Sequence, residues 1–123
     1  MSRIAGRLID DLIALRRWCR EAEALVEGNP DALFSENRVY ELALSKAMEQ
    51  IGEVSRRIIT KHPDFARGRV DLELEAAYGM RNRLAYGYDD VIVEIVVNAA
   101  RHDVPKLRAA VEKILIDAGE DFS

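Results

Sequence analysis

Residues 91–97 read VIVEIVV, and the fold class turns on how they are read. Four valines and two isoleucines suit a strand, because β-branched side chains pack well on a pleated surface. A strand needs a partner, however, and an isolated one is not stable. No second segment of the chain offers one, so a helix is predicted here, capped by Asp89 or Asp90.

Working outward, the flanking segments are helical. Ile4, Leu8, Leu12, Leu15, Cys19, Ala22 and Val26 step by threes and fours, which is one face of a helix. Gly28-Asn29-Pro30 ends it. A second helix is predicted from an N-cap at Ser35, with Glu36 in its first turn and Tyr40, Leu44, Ala47, Ile51, Val54 and Ile58 as its stripe. His62-Pro63 stops it, and residues 63–70 read as a loop. Asp71 is predicted to cap a third helix carrying Leu74, Ala77, Arg81 and Leu84, which Gly87 breaks. After residues 91–97, Asp103-Val104-Pro105 marks a kink or split, and Leu107, Ala110, Val111, Ile114 and Leu115 form the last stripe. The expected fold is all-α: one domain, residues 1–123, an up-and-down four-helix bundle with its last helix kinked or split at Pro105.

The totals narrow the function. The chain has 123 residues with 18 basic and 22 acidic side chains, a net charge of −4. That disfavours nucleic-acid binding through bulk charge but not through a local basic cleft. No apolar stretch reaches the roughly 18 residues that span a bilayer. The N-terminal stretch has no signal-peptide pattern, and a lone Cys19 offers neither an internal disulfide nor a zinc set. The cytoplasm is the expected location, and no metal or cofactor is expected.

Arg81 occupies a position that the helical period assigns to the buried face. A guanidinium there needs a partner. Two readings are open: a salt bridge to Glu49 or Glu53, or an anion site whose planar fork meets a phosphate. Asn82 beside it can donate and accept. Arg16-Arg17-Trp18-Cys19-Arg20 mixes basic and aromatic residues, as RNA-contacting surfaces do, but the favoured reading is a solvated helix face with Trp18 covering a core edge. Arg56, Arg57, Lys61, Arg67 and Arg69 could extend a basic groove.

GMRNRLAYGYDDV at residues 79–91 and VEIVVNAARHDVPKL at 93–107 resemble the signature end of the HepT-like toxins of the HEPN superfamily. AMEQIGEVSRRI at 47–58 is similar to that family's second helix. The resemblance runs in order from about residue 40 to 115. It implies an all-α homodimer acting as a metal-independent endoribonuclease, the toxin of a type VII pair whose antitoxin is an MNT-type nucleotidyltransferase. The family motif is an arginine, four residues, a histidine, one residue and a tyrosine. On that pattern Arg81 is the motif arginine, Asn82 the polar residue after it, and Tyr88 the acceptor of AMP groups added by the partner. Tyr86 occupies the histidine position. Of the two carboxylates offered above, Glu53 is the one expected to support Arg81. The resemblance further implies attack of a ribose 2′-hydroxyl on the adjacent phosphate, with both copies of the motif sharing one cleft. Such chemistry uses a proton shuttle near neutral pH, which suits histidine, at a reference pKa of about 6.5, far better than tyrosine at about 10. Tyr86 therefore implies impaired cleavage, through an inactivating substitution, a natural pseudoenzyme or a changed mechanism. The competing reading is a non-catalytic binding subunit that presents substrate to, or is regulated by, a nucleotidyltransferase. His62 and His102 are expected to be solvated residues rather than replacement catalysts.

Overall fold

The computed structural model describes residues 6–87 and 91–121. Among them are six α-helices and one 3₁₀ turn, with no strand: α1 (Gly6–Val26), α2 (Asp31–Glu36), α3 (Arg38–Lys61), α4 (Pro63–Gly68), the turn Val70–Leu72, α5 (Leu74–Tyr86) and α6 (Val93–Asp117). The β-branched run is helical from Val93 onward, and Val96 and Val97 are buried. Asp89 and Asp90, offered as its caps, lie outside the described residues, as does Ile4. The observed N-cap is Ile92, with no side-chain cap bond.

Four long helices carry the core. On α1 the predicted stripe from Leu8 to Val26 is buried throughout. It meets Leu44, Ala47, Ile51, Val54 and Ile58 of α3 and Val104, Leu107, Val111, Ile114 and Leu115 of α6. Ion pairs fix the directions. Arg57 of α3 reaches Asp11 near the start of α1, at 3.0 Å. Arg108 of α6 reaches Glu23 near the end of α1, at 2.5 Å, and Arg16 reaches Glu112 at 2.6 Å. Both neighbours of α1 therefore run antiparallel to it, and α5 packs along α3. Cys19 is fully buried, and burial, with Glu23 adding to it, pushes its thiol up to about 12. It behaves as a core side chain.

Several boundaries differ from expectation, each for a local reason. Ser35 lies inside the short α2, and its hydroxyl donates to the Ala32 carbonyl. The cap of α3 is Asn37, whose side chain accepts from the Val39 and Tyr40 amides, satisfying two of the donors that a helix start leaves open. Phe34 explains α2: it is fully buried and meets Tyr40 edge-on, with centroids 6.2 Å apart, so Tyr40 stays partly exposed at the stripe's end. Residues 63–70 are not a loop. Pro63 opens α4 at its first position, where its missing N–H costs nothing. Asp71 sits in the 3₁₀ turn and pairs with Arg69. The residue that starts α5 is Glu73, in the left-handed region at φ 51°, with its carbonyl accepting from Ala76 and Ala77.

The last helix is not split at Pro105; it runs unbroken from Val93 to Asp117. An internal proline removes one helical hydrogen bond and costs about 3 kcal/mol in a free helix. Here Val104, Leu107 and Val111 are buried on both sides of it, and core packing of several such side chains, at roughly 1.5–3 kcal/mol each, outweighs the loss. Arg101 adds a clamp at the far end of α1, donating to the Val26 carbonyl at 2.7 Å and to Asp31 at 2.7 Å.

Candidate functional site

The approach of α5 to α3 is closest at Gly52. A β-carbon built there would stand 2.2 Å from the Arg81 Cβ and 2.5 Å from the Ala77 carbonyl oxygen. Neither atom can yield without moving the helix. Gly52 is thus a socket in α3, and the backbone of Arg81 is seated in it.

The next residue of α3 completes the socket. Glu53 Oε2 lies 3.3 Å from Arg81 Nε. The same carboxylate accepts from Arg56, with Nη2 at 2.8 Å from Oε1 and Nε at 3.2 Å. One acidic group therefore lies between two guanidinium groups. The Arg56 hydrogen bond, followed by the charges of Arg56, Arg81 and Arg57, holds the Glu53 carboxyl below its ordinary value against a desolvation effect of opposite sign. Of the two partners proposed for Arg81, Glu53 is the one in place, and the pairing does not exhaust the guanidinium. Arg81 Nη1 donates to Asn82 Oδ1 at 2.9 Å, and its Cζ stands 5.4 Å from the centroid of the Tyr86 ring. Arg81 is 21% exposed at its side chain and Tyr86 is 79% exposed. The arrangement is a guanidinium gripped from below by a carboxylate, flanked by an amide, and covered in part by a phenol that projects into solvent.

The end of α5 is set by Gly87, whose amide donates to the Arg83 carbonyl at 2.9 Å. Its φ is −132°, so the helix stops there without the left-handed turn that would demand glycine. Tyr88 lies outside the described residues.

The other arginines of the expected groove are engaged elsewhere, while Lys61 is exposed. Arg57 donates to Asp11, Arg67 to Asp64 and Arg69 to Asp71. The proposed extension of a basic groove along these residues is charge-compensated. Trp18 packs against the core edge, Arg16 holds Glu112, and Arg17 and Arg20 are exposed. His102 is exposed, as expected, but His62 is not: its side chain is 16% exposed, with Nε2 3.5 Å from Asp11 Oδ2. Both histidines are on other elements than Tyr86. Among the described residues no three His, Cys, Asp or Glu side chains converge as a metal site would require, and no helix is long and apolar enough to cross a membrane.

Residues 15–114 match the family model described as "Ribonuclease HepT-like", which places the all-helical fold and the Arg81 end of α5 in one class of protein. The chain belongs to the HepT-like ribonuclease family of the HEPN group. Comparison with curated proteins and with solved structures gives no match.

Gly52 was absent from the residues singled out in the sequence. Its signal was its place inside the α3 stretch that resembles the family, directly before Glu53. A paired test exposes its role. Gly79 is also inside α5, but a β-carbon there would meet nothing within 4 Å. Gly79→Ala should stabilise the protein to urea by about 0.5–1 kcal/mol, the usual gain for a helical glycine. Gly52→Ala should instead destabilise it by about 1–3 kcal/mol through overpacking. Equal responses at the two positions would contradict the close approach.

The Glu53 pairing has a pH signature. A carboxyl held below its ordinary value stabilises the folded state above the unfolded value. That contribution fades as pH falls through the lower, folded value. The stability gap between the parent and Glu53→Gln should therefore be constant at neutral pH and close in acid. Urea midpoints taken across acid pH measure it, and a gap that widens in acid would have the wrong sign.

Proposed function

We propose that the chain is the toxin component of a type VII toxin–antitoxin pair: a metal-independent endoribonuclease with its site at residues 81–88, impaired because Tyr86 stands where the proton-shuttling histidine belongs. Arg81 meets the scissile phosphate and stabilises the charge that develops on it. Asn82 orients the phosphate or the adjacent ribose. Glu53 holds Arg81 in place. A homodimer brings two copies of the cluster to one cleft, since a single arginine with one shuttle residue is a sparse catalyst. The observation that carries the reading is the convergence of Arg81, Asn82 and Tyr86 at the exposed end of α5 in a HepT-like chain.

Tyr88 is the proposed acceptor of AMP from a nucleotidyltransferase partner in the cytoplasm. An added nucleotide monophosphate carries negative charge and would compete with RNA phosphate for Arg81. The test is intact mass after incubation with the neighbouring nucleotidyltransferase and ATP. Whole AMP units should be gained by the parent, kept by Tyr86→Phe and lost by Tyr88→Phe. Labelling that persists in Tyr88→Phe would put the acceptor elsewhere.

A second reading has one specific observation in its favour: position 86 holds a phenol where the family motif has an imidazole, and neither histidine is nearby in sequence. On that reading the chain is a non-catalytic binding subunit for the nucleotidyltransferase. Restoring histidine separates the two, because a pure binding subunit gains no cleavage from it.

A further inference from the structure

Tyr86 is an aromatic ring with almost all of its surface in water. Single exposed apolar side chains are ordinary, but this one stands over a cation. The Arg81 guanidinium lies against its ring, 5.4 Å from Cζ to the centroid. Arg81 is itself fixed by Glu53 and Asn82 and seated on Gly52. Among the described residues the ring is thus backed by a cation on one face and exposed on the other. Its chain neighbours are Ala85 and Gly87, the two smallest residue types, so nothing bulky adjoining it in sequence fences the open face.

We propose that Tyr86 is a stacking platform for a nucleobase, so that this site takes single-stranded RNA with an unpaired base next to the phosphate that Arg81 contacts. The proposal rests on the reading of Arg81 as a phosphate ligand. Three features support it. A flat aromatic face accepts any base, because each has a π-face. A cation behind the ring draws density from it and favours a polarisable, electron-rich partner, which makes a purine the better occupant. A tyrosine side chain has only two torsions to fix and so loses little freedom on binding. Duplex RNA does not satisfy the geometry, since its bases are stacked on one another and its deep groove excludes side chains. The phenol that weakens proton transfer thereby retains a binding role.

The experiment is fluorescence anisotropy at one fixed low salt concentration, using a short adenine-rich RNA with 2′-O-methyl groups throughout, so that it cannot be cut. The parent should bind the single strand. Tyr86→Ala should bind roughly 5- to 150-fold more weakly, the range for one base–aromatic stack. Tyr86→Phe should stay within about twofold of the parent, because the face and not the hydroxyl is used. Annealing the strand to its complement should erase the difference between the parent and Tyr86→Ala. Circular dichroism of each variant checks the fold, which an exposed side chain does not support. If Tyr86→Ala binds like the parent while Arg81→Ala does not bind, the platform is refuted and the phosphate reading stands. Should Tyr86→Phe lose as much as Tyr86→Ala, the platform is refuted in favour of a hydroxyl contact. Absence of binding by the parent, or equal binding by Arg81→Ala, overturns the phosphate reading and the platform with it.

Discussion

Tyr86→His is expected to raise RNA cleavage in the presence of a chelator by roughly 10²- to 10⁴-fold, the usual worth of a positioned general acid–base. Tyr86 is the last residue of α5 and is 79% exposed, so the exchange leaves no cavity and buries no polar group. What changes is the titration range. Phenols as a class are poor bases at neutral pH, whereas an imidazole, with a reference pKa of about 6.5, can take and return a proton there. The Arg81 guanidinium nearby disfavours a second positive charge and keeps more of the imidazole neutral. Growth arrest on expression of the variant, against none for the parent, is the cellular counterpart. Identical cleavage by the two proteins would mean that position 86 takes no part in proton transfer.

Arg81→Ala in the Tyr86→His background is expected to lower cleavage by roughly 10²- to 10³-fold, the cost of removing one preorganised donor from developing charge. The competing account of this residue is purely structural: a semi-buried arginine that holds α5 to α3 through Glu53. The geometry separates the two. Alanine keeps the β-carbon that rests on Gly52. Glu53 keeps Arg56 and is not left as an unpaired carboxylate. The lost ion pair is partly exposed, and such pairs contribute about 0–1 kcal/mol. The variant should therefore melt close to its parent while losing activity. A large loss of stability with cleavage falling only in proportion to the unfolded fraction would favour the structural account. Arg81→Lys should rescue poorly, because an ammonium lacks the planar fork.

The long elements were legible because they bury one face at helical spacing. Leu8 to Val26 and Leu44 to Ile58 are buried as their period required. Even VIVEIVV could be assigned, by asking what a strand would pair with. The connections were less legible. Ser35 and Asn37 are both good caps, and the choice between them was made by Phe34, which drops into the core and makes α2 a separate turn. Pro105 reads as a break in any local scheme, and only burial on both sides of it keeps α6 whole. At the site, the sequence placed Arg81 on the inward face and offered two glutamates. The helical period alone did not choose between Glu49 and Glu53, because that depends on the depth at which α5 sits in α3. The depth is set by Gly52, whose part in the contact consists of having no side chain. Tyr86 was read for the proton chemistry it lacks, whereas its exposed, cation-backed ring is a property of the folded chain.

The central claim is that the end of α5 cuts RNA through its own 2′-hydroxyl once the shuttle is restored. Single-turnover cleavage by Tyr86→His, in chelator, tests it on a substrate with one ribose at the cut position and on the same strand with deoxyribose there. The account predicts a cyclic phosphate on the 5′ fragment of the first strand, no cut at that position in the second, and cleavage of the first strand slowed roughly 10²- to 10³-fold when Arg81 is also alanine. Cleavage of the deoxyribose strand at the same rate, or cleavage undiminished by loss of Arg81, would contradict it.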